Sequence, residues 1–490
     1  MSSSAPLRPI VPDTPLSEIP EIHASLKRAF KSGKLRDVSY RRHVLAQLAY
    51  MLQENELAFA EALARDFRKH RVEVNAGEIA VVFQRCLNAI DHLEDWLKEV
   101  DLSGQTHPMY AGLRPGLIRQ SRGPVLIIGP FNAPFLLTLQ PLIGAIAAGC
   151  PAVVKPSDLS IHSSCLLAQL IPKYLDSDCF KVVLGGVDQS TLLLDLKWSS
   201  IVYTGGMNVG RIVAAAAAKH LTPVTLELGG KCPVIIDPKY DMELAAKRVL
   251  WGKMINAGQV CISPDYVLIP RDQQDNFVNA LVKTYNEFFP NGSLDSPDTG
   301  GIINERHFHR VQDMLKRSKG KVVIGGKSDT ARLKMEVTVV RDVQGGDSLM
   351  EDEVFGPILS LVPVDNLDDA IDFLAERPEP LAIYAFSLDE DTKRHLRDST
   401  LSGTLIYNDT FMQLNVAEIP VSALGASGYG YQGGKYAFDT FIHNRGTMDV
   451  PAEAEPLLSI RYPPYTDATL EALSAPLKQN IPLPRASTSA

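Results

Sequence analysis

Val125-Leu126-Ile127-Ile128-Gly129 decides the fold: a run of apolar residues closed by a glycine, which reads as a short buried strand. From there the chain alternates. Phe135 to Ala148 reads as a helix, Ala152 to Lys155 as a strand and His162 to Tyr174 as a helix. Val182 to Leu184 and Ile201 to Thr204 are further short strands, and the alanine-rich Val209 to His220 is a helix. Strands alternating with helices imply a parallel sheet in a doubly wound α/β fold. Ligands of such sheets bind beyond the carboxyl ends of the strands.

Upstream, Tyr40 to Asp66 and Val72 to Val100 carry apolar residues at helical spacing and read as scaffold helices. Ser103 to Arg122 is rich in Gly and Pro and reads as a hairpin leaving the main body. Met1 to Pro20 is rich in Ser and Pro, has no hydrophobic signal core, and reads as a flexible lead-in. Downstream comes a second α/β stretch. Tyr266 to Ile269 is a strand, Asp275 to Phe289 and His307 to Lys319 are helices, and strands lie near Val322 and Val337.

At 490 residues the chain exceeds one ordinary core, so two or three domains are expected. A 45% hydrophobic, 22% charged composition is that of a soluble globular protein. A net charge of −8 without a long basic run argues against a nucleic-acid partner. Cys86, Cys150, Cys165, Cys179, Cys232 and Cys261 form no CxxC pair, which argues against structural zinc and a disulfide framework and suits a reducing, cytoplasmic setting. Gly123 to Val154 has no charged residue, yet five prolines interrupt it, so it fits a buried strand–loop–helix–strand better than a membrane span. His307 and His309 point about 200° apart on a helix, so no metal site is expected there and both read as surface positions.

Three strand ends carry candidate chemistry. Thr204-Gly205-Gly206-Met207-Asn208-Val209-Gly210 joins a strand to a helix, whose N-terminus suits a pyrophosphate. It is not GxGxxG, and on spacing alone a tight turn explains it equally well. Lys155-Pro156-Ser157-Asp158 offers a lysine and a carboxylate for ribose hydroxyls, or simply a turn that caps the next helix. Asn132, in Gly129-Pro130-Phe131-Asn132-Ala133-Pro134, offers an amide to a developing oxyanion, or caps its loop. Further on, Leu226-Glu227-Leu228-Gly229-Gly230-Lys231 and Gly258-Gln259-Val260-Cys261 place a carboxylate and a thiol beside glycines. A thiolate can attack an electrophilic carbon, and a buried glutamate can then take a proton from water. Gly425-Ala426-Ser427-Gly428-Tyr429-Gly430 is GxSGxG, so a hydrolase nucleophile elbow is excluded.

Glu-Leu-Gly-Gly-Lys followed by Gly-Gln-x-Cys resembles the active-site signature of the aldehyde dehydrogenase superfamily. Lys435-Tyr436-Ala437-Phe438-Asp439-Thr440-Phe441 and Arg461-Tyr462-Pro463-Pro464-Tyr465 resemble its class 3, fatty aldehyde dehydrogenase-like branch. The resemblance implies a Rossmann-type cofactor domain (1–102 and 123–226), a catalytic domain (227–423), a bridging region (103–122 and 424–450) and a tail (451–490). It implies that Cys261 attacks an aldehyde, that Asn132 and the Cys261 amide hold the oxyanion, that hydride passes to a nicotinamide, and that Glu227 activates water against the thioester. Lys155 and the acid at Asp158 would hold the adenosine ribose, with Ser157 between them. Gly205, Gly206 and Gly210 would lie beneath the dinucleotide. By likeness of Glu351-Asp352-Glu353-Val354-Phe355-Gly356-Pro357 to Glu-x-Phe-Gly-Pro, Glu353 would hold the nicotinamide ribose and Phe355 pack near its ring. The cofactor is NAD, with NADP open because Asp158 replaces the usual glutamate.

A homodimer and a small-molecule aldehyde are the partners the branch implies. Thr466 to Ala490 holds charges and prolines, so no membrane anchor is expected there. The chain departs from the class 3 pattern at Ala133, at Pro420-Val421-Ser422-Ala423 and at Asn408-Asp409-Thr410-Phe411-Met412-Gln413. If these line the cleft it is widened, for a bulky aliphatic, isoprenoid-derived or aromatic aldehyde. A coenzyme A-acylating relative and an inactive binding protein are the alternatives; retention of Glu227 speaks against the first, and Asn132, Glu227, Cys261 and Glu353 together against the second.

Overall fold

The computed structural model describes residues 11–483, in two compact units. The larger takes the residues up to Trp96 and Ser121–Ile442; the smaller takes Leu97–Gln120 and the residues from His443 onward. In the larger unit the chain runs β1 (Val125–Ile128), α1 (Leu136–Ala148), β2 (Ala152–Lys155), α2 (Ile161–Tyr174), β3 (Phe180–Val182), α3 (Val187–Asp195), β4 (Ser200–Gly205), α4 (Met207–Ala218) and β5 (Val224–Leu228). These strands are parallel and ordered β5-β4-β1-β2-β3. Connections run one way from β1 through β3 and then return to its other side. The switch point therefore lies between β1 and β4, where a ligand crevice opens beyond the strand ends. All of β1 and all of α1 are buried, which is why this stretch is apolar throughout. Gly149, at φ 76°, ends α1 in the left-handed conformation that glycine adopts without strain.

A second sheet follows: β6 (Cys232–Ile236), β7 (Pro264–Pro270), β8 (Lys321–Ile324), β9 (Thr338–Arg341), β10 (Ile358–Val364), β11 (Ala382–Phe386) and β12 (Thr404–Tyr407). Its order is β8-β9-β10-β7-β6-β11-β12, with only β8 antiparallel to its neighbour. The chain then returns to the first sheet. β13 (Val421–Ala423) and β14 (Gly428–Gln432) form an antiparallel pair, and β14 lies antiparallel beside β5.

Four expectations need correction. The segment 424–450 does not act as one piece: β14 extends the first sheet, and only the residues from His443 join the small unit. A boundary after residue 226 would cut through β5. Tyr40 to Asp66 is two helices, Val38–Glu54 and Glu56–Phe67, and Val72 to Val100 contains a π-helical turn at Asn75–Ile79. Of the expected lead-in, residues 11–20 are held: the Thr14 amide donates to the Leu184 carbonyl at 3.0 Å, and a helix starts at Ile19. Residues 1–10 of the lead-in and 484–490 of the tail lie outside the described residues.

The small unit carries a three-stranded sheet ordered Val100–Asp101, Pro115–Ser121 and Ile442–Met448. Residues 443–450 are exposed, and no residue of 451–483 is buried. Among the described residues, no helix is long and apolar enough to cross a membrane.

Candidate active site

Glu227 sits in β5 and is 4% exposed. Its Oε1 accepts a hydrogen bond from Cys261 Sγ at 3.4 Å. Its Oε2 accepts from Thr204 Oγ1 at 3.4 Å, and Thr204 Oγ1 in turn accepts from Gln432 Nε2 at 3.3 Å. The bonding follows from the sheet: Thr204 on β4 is in register with Glu227 on β5, and β14, which carries Gln432, pairs with β5 on its other side. Burial raises the Glu227 carboxyl above its ordinary value, against the two hydrogen bonds it accepts. Of the six cysteines, five are buried and Cys261 alone is half-buried. Desolvation, and then the Glu227 and Glu353 carboxylates, push its thiol well up, so it rests as a thiol that donates to Glu227.

The loop before Cys261 has an uncommon backbone. Asn256, Ala257 and Gly258 all have positive φ, at 50°, 52° and 72°. A Cβ on Gly258 would lie 2.2 Å from the Gly356 carbonyl oxygen, so only glycine fits. The Gln259 side chain clamps this shape: Nε2 donates to the Asn256 and Gly301 carbonyls, each at 3.0 Å, and Oε1 accepts from the Ile303 amide at 3.0 Å. After the cysteine, Tyr384 Oη donates to the Ile262 carbonyl at 2.7 Å, and Gln413 Nε2 donates to Tyr384 Oη at 3.2 Å.

Asn132 follows β1. Its carbonyl accepts from Asn256 Nδ2 at 2.8 Å, which joins its loop to that of the cysteine. Among the described residues, the buried Asn132 Nδ2 has no hydrogen-bond partner. A buried amide left unpaired is costly, and an oxyanion would satisfy it.

Across the switch point lies the second half of the site. Gly206 caps the N-terminus of α4, and a Cβ there would meet nothing within 4 Å. At Gly210 a Cβ would come 2.6 Å from Leu228 Cδ2, so this glycine serves close packing of α4 on β5. A Cβ at Gly205 would crowd Tyr203 Oη at 2.4 Å. Lys155 is buried at the end of β2, 4.0 Å from Asp158 Oδ1, and Asp158 is exposed. Burial lowers the Lys155 ammonium. Ser157 Oγ accepts from the Leu159 amide at 3.2 Å, which is a turn cap. An open helix N-terminus at a switch point, with a lysine at the end of the next strand but one, fits a dinucleotide.

Glu353 lies against the turn after β5. A Cβ on Gly229 would fall 2.1 Å from Glu353 Oε2, and the Gly230 amide donates to this carboxylate. Burial, then the nearby Asp265, raises the Glu353 carboxyl to about 8. Lys231 anchors the loop through Asp265 and the carbonyls of Leu349 (2.7 Å) and Asp352 (3.1 Å). Phe355, at φ 45°, meets Phe131 edge-on at 5.7 Å, beside Asn132. His307 is not the surface position its helix phase suggested: half-buried, its ring lies 5.3 Å from Phe131.

The sequence reading missed Thr204, Gln432, Asn256 and Tyr384. Each acts through a partner more than twenty residues away, and nothing local marks it. Gln259 lies within the Gly258-Gln259-Val260-Cys261 motif, but its clamping partners Gly301 and Ile303 are more than forty residues away.

A thiol hydrogen-bonded to a buried carboxylate, beside an open helix N-terminus of a doubly wound sheet, defines a nucleotide-dependent α/β enzyme that works through a covalent intermediate. The profile of the Aldehyde dehydrogenase family matches residues 11–445. Aldehyde dehydrogenase family 3 member B1 of Rattus norvegicus is 42% identical over 449 residues, 91% of this chain and 95% of that protein. Beta-apo-4'-carotenal oxygenase of Neurospora crassa is 40% identical over 461 residues, 94% of this chain and 86% of that protein. The substrate-bound structure of Staphylococcus aureus AldH superposes with a TM-score of 0.90 at 36% identity, over 94% of this chain and 99% of that one. The chain belongs to the aldehyde dehydrogenase family, in its class 3 branch, and is an NAD(P)-dependent oxidoreductase of that kind.

Proposed function

We propose that the chain oxidises a bulky aldehyde to its carboxylic acid, with Cys261 as nucleophile, Asn132 as oxyanion donor and Glu227 as base. The observation that carries this reading is the 3.4 Å contact of Cys261 Sγ with Glu227 Oε1, together with the buried, unpartnered Asn132 amide on a loop that Asn256 ties to the cysteine loop. As sulfur attacks the carbonyl carbon, Glu227 takes the thiol proton. The new alkoxide is held by Asn132 Nδ2–H and the Cys261 backbone N–H. The nicotinamide, when bound, supplies the acceptor for the hydride that leaves this carbon. Cys261 is then a thioester. Glu227 passes the thiol proton to solvent, takes a proton from the attacking water and gives it to the departing sulfur, so the acid leaves as the thiol is restored. Thr204, itself held by Gln432, holds the far oxygen of Glu227 and keeps the near one on the reacting side.

Lys155, Ser157 and Asp158 would take the adenosine ribose, the Gly205-Gly206 turn the pyrophosphate, with Gly210 packing α4 onto β5 beneath it, and Glu353 and Phe355 the nicotinamide half. NAD is the cofactor in this reading, and NADP is accepted because Asp158 is short and exposed. The bulk of the aldehyde rests on the small Ala133 beside Asn132 and on the name borne by the Neurospora crassa relative. A panel of aldehydes, read by absorbance of the reduced cofactor with NAD and then NADP, tests both points. Equal kcat/KM for acetaldehyde and long or aromatic aldehydes contradicts the substrate class. An acyl-CoA product on addition of coenzyme A contradicts hydrolysis. A cytoplasmic homodimer completes the reading, supported by free thiols and by the exposed edge strand Ile442–Met448. Light scattering at the mass of one chain would contradict the dimer, and recovery with membranes on cell fractionation the location.

A further inference from the structure

The two loops of the catalytic centre meet a buried ionic cluster that no step above uses. Lys69 is 6% exposed and Glu78 is 1% exposed. Lys69 Nζ lies 2.9 Å from Glu78 Oε1 and 3.6 Å from Glu73 Oε1. Each carboxylate also accepts backbone amides from a different loop. Glu73 Oε1 accepts from the Asn256 amide at 2.7 Å, at the first of the three left-handed residues that lead to Cys261. Glu78 Oε2 accepts from the amides of Phe135 (3.0 Å) and Leu136 (3.3 Å), just past Asn132. One ammonium thus stands between the nucleophile loop and the oxyanion loop.

The backbone of this segment is shaped for that arrangement. In a regular α-helix, residues five apart point about 140° apart. Between Glu73 and Glu78 the helix makes its π turn, Asn75–Ile79, and the i to i+5 closure brings both carboxylates to one lysine. Such turns recur at functional sites. Asn256 Nδ2 adds a direct tie to the Asn132 carbonyl at 2.8 Å, and Gln259 holds the cysteine loop from within. The cysteine loop therefore has supports of its own, and the cluster sets its offset from the other loop.

We propose that Lys69, Glu73 and Glu78 are positioning residues that fix where the Asn132 amide stands relative to Cys261, so that the oxyanion hole is preorganised. This inference rests on the roles given above to Asn132 and Cys261. Misplacement of a reacting group by about 1 Å costs on the order of 100-fold in rate. The cluster touches neither substrate nor cofactor in this reading, so its loss acts on kcat and leaves cofactor binding alone.

The test is a double-mutant cycle. Lys69→Met, Glu73→Ala and Glu73→Gln are made in the wild-type chain and in Asn132→Ala, with kcat, aldehyde KM and the dissociation constant for NAD measured for each, and Tm as a control. Lys69→Met and Glu73→Ala are expected to lower kcat by about 10- to 100-fold with NAD affinity unchanged. Glu73→Gln keeps an oxygen for the Asn256 amide and recovers most of the rate. In the Asn132→Ala background the same changes cost less than about threefold, because the amide they place is gone. Where Lys69→Met alone leaves two carboxylates without their cation and does not fold, the neutral triple variant Lys69→Met, Glu73→Gln, Glu78→Gln takes its place. Losses that multiply in full with Asn132→Ala, or near-normal kcat in folded Lys69→Met and Glu73→Ala, overturn the proposal. Near-normal turnover in Asn132→Ala alone overturns the assignment beneath it, and is read from that variant by itself.

Discussion

The two sides of the cleft are built in opposite ways. Where the pyrophosphate would lie, the cradle is made by residues close together in the chain. β4 ends, Gly206 caps α4, and the helix leaves, all within a few positions. On the nucleophile side, Cys261 and its loop are held by bonds that span the chain: Cys261 to Glu227 across 34 residues, Ile262 to Tyr384 across 122, and Asn256 to Asn132 across 124 and to Glu73 across 183. A cradle for a polar ligand needs only backbone amides and open space. A reacting sulfur must be held at a fixed offset from a base and an oxyanion donor, and one loop cannot supply three independent constraints.

Substitutions can break this contrast. The largest effect is expected from Cys261→Ala, which removes the sulfur: aldehyde oxidation is abolished while NAD still binds, as a fluorescence titration will read. Residual aldehyde-dependent reduction of NAD would mean that the nucleophile lies elsewhere. Glu227→Gln is expected next. It keeps the hydrogen-bond geometry but cannot take a proton from the thiol or from water, so turnover falls by about 10²–10⁴-fold. In the wild type, hydrolysis rises with pH as Glu227 loses its proton, and because burial has raised this carboxyl the limb lies above the ordinary carboxylate range. The same limb in a pH profile of Glu227→Gln would contradict the assignment. Asn132→Ala removes one oxyanion donor and is expected to lower kcat by about 100-fold or more.

The smallest effects separate the two glycines of the α4 loop. A methyl at Gly206 meets no protein atom, so Gly206→Ala should keep the Tm and raise the KM for NAD, because it fills the cradle. Gly210→Ala drives a Cβ into Leu228 and should cost about 1–3 kcal/mol of stability. Equal Tm values for the two variants, in thermal denaturation, would remove the distinction between ligand space and packing.

The same contrast explains what the sequence disclosed. The strands of the first sheet were legible because each is a short apolar run between turn residues, as in Val125–Ile128. The approach of Cys261 to Glu227 was anticipated from chemistry and resemblance, and the structure sets the two side chains in contact. The return of Gly428–Gln432 beside β5 was not legible: a glycine-rich stretch has little periodicity, and its pairing is fixed by a strand 200 residues earlier. His307 was misplaced because helix phase tells which face a side chain takes, and not that Phe131 would pack on that face. The π turn at Asn75–Ile79 was hidden because its apolar spacing differs from that of an α-helix by a single residue.

The most direct measurement is the mass of the unaltered chain, quenched in acid at intervals through its first turnover with aldehyde and NAD. The account predicts an added acyl group, carried after digestion by the peptide that holds Cys261 and released by hydroxylamine. An acyl group on another residue, or full turnover with no covalent species on Cys261 at any time, would contradict it.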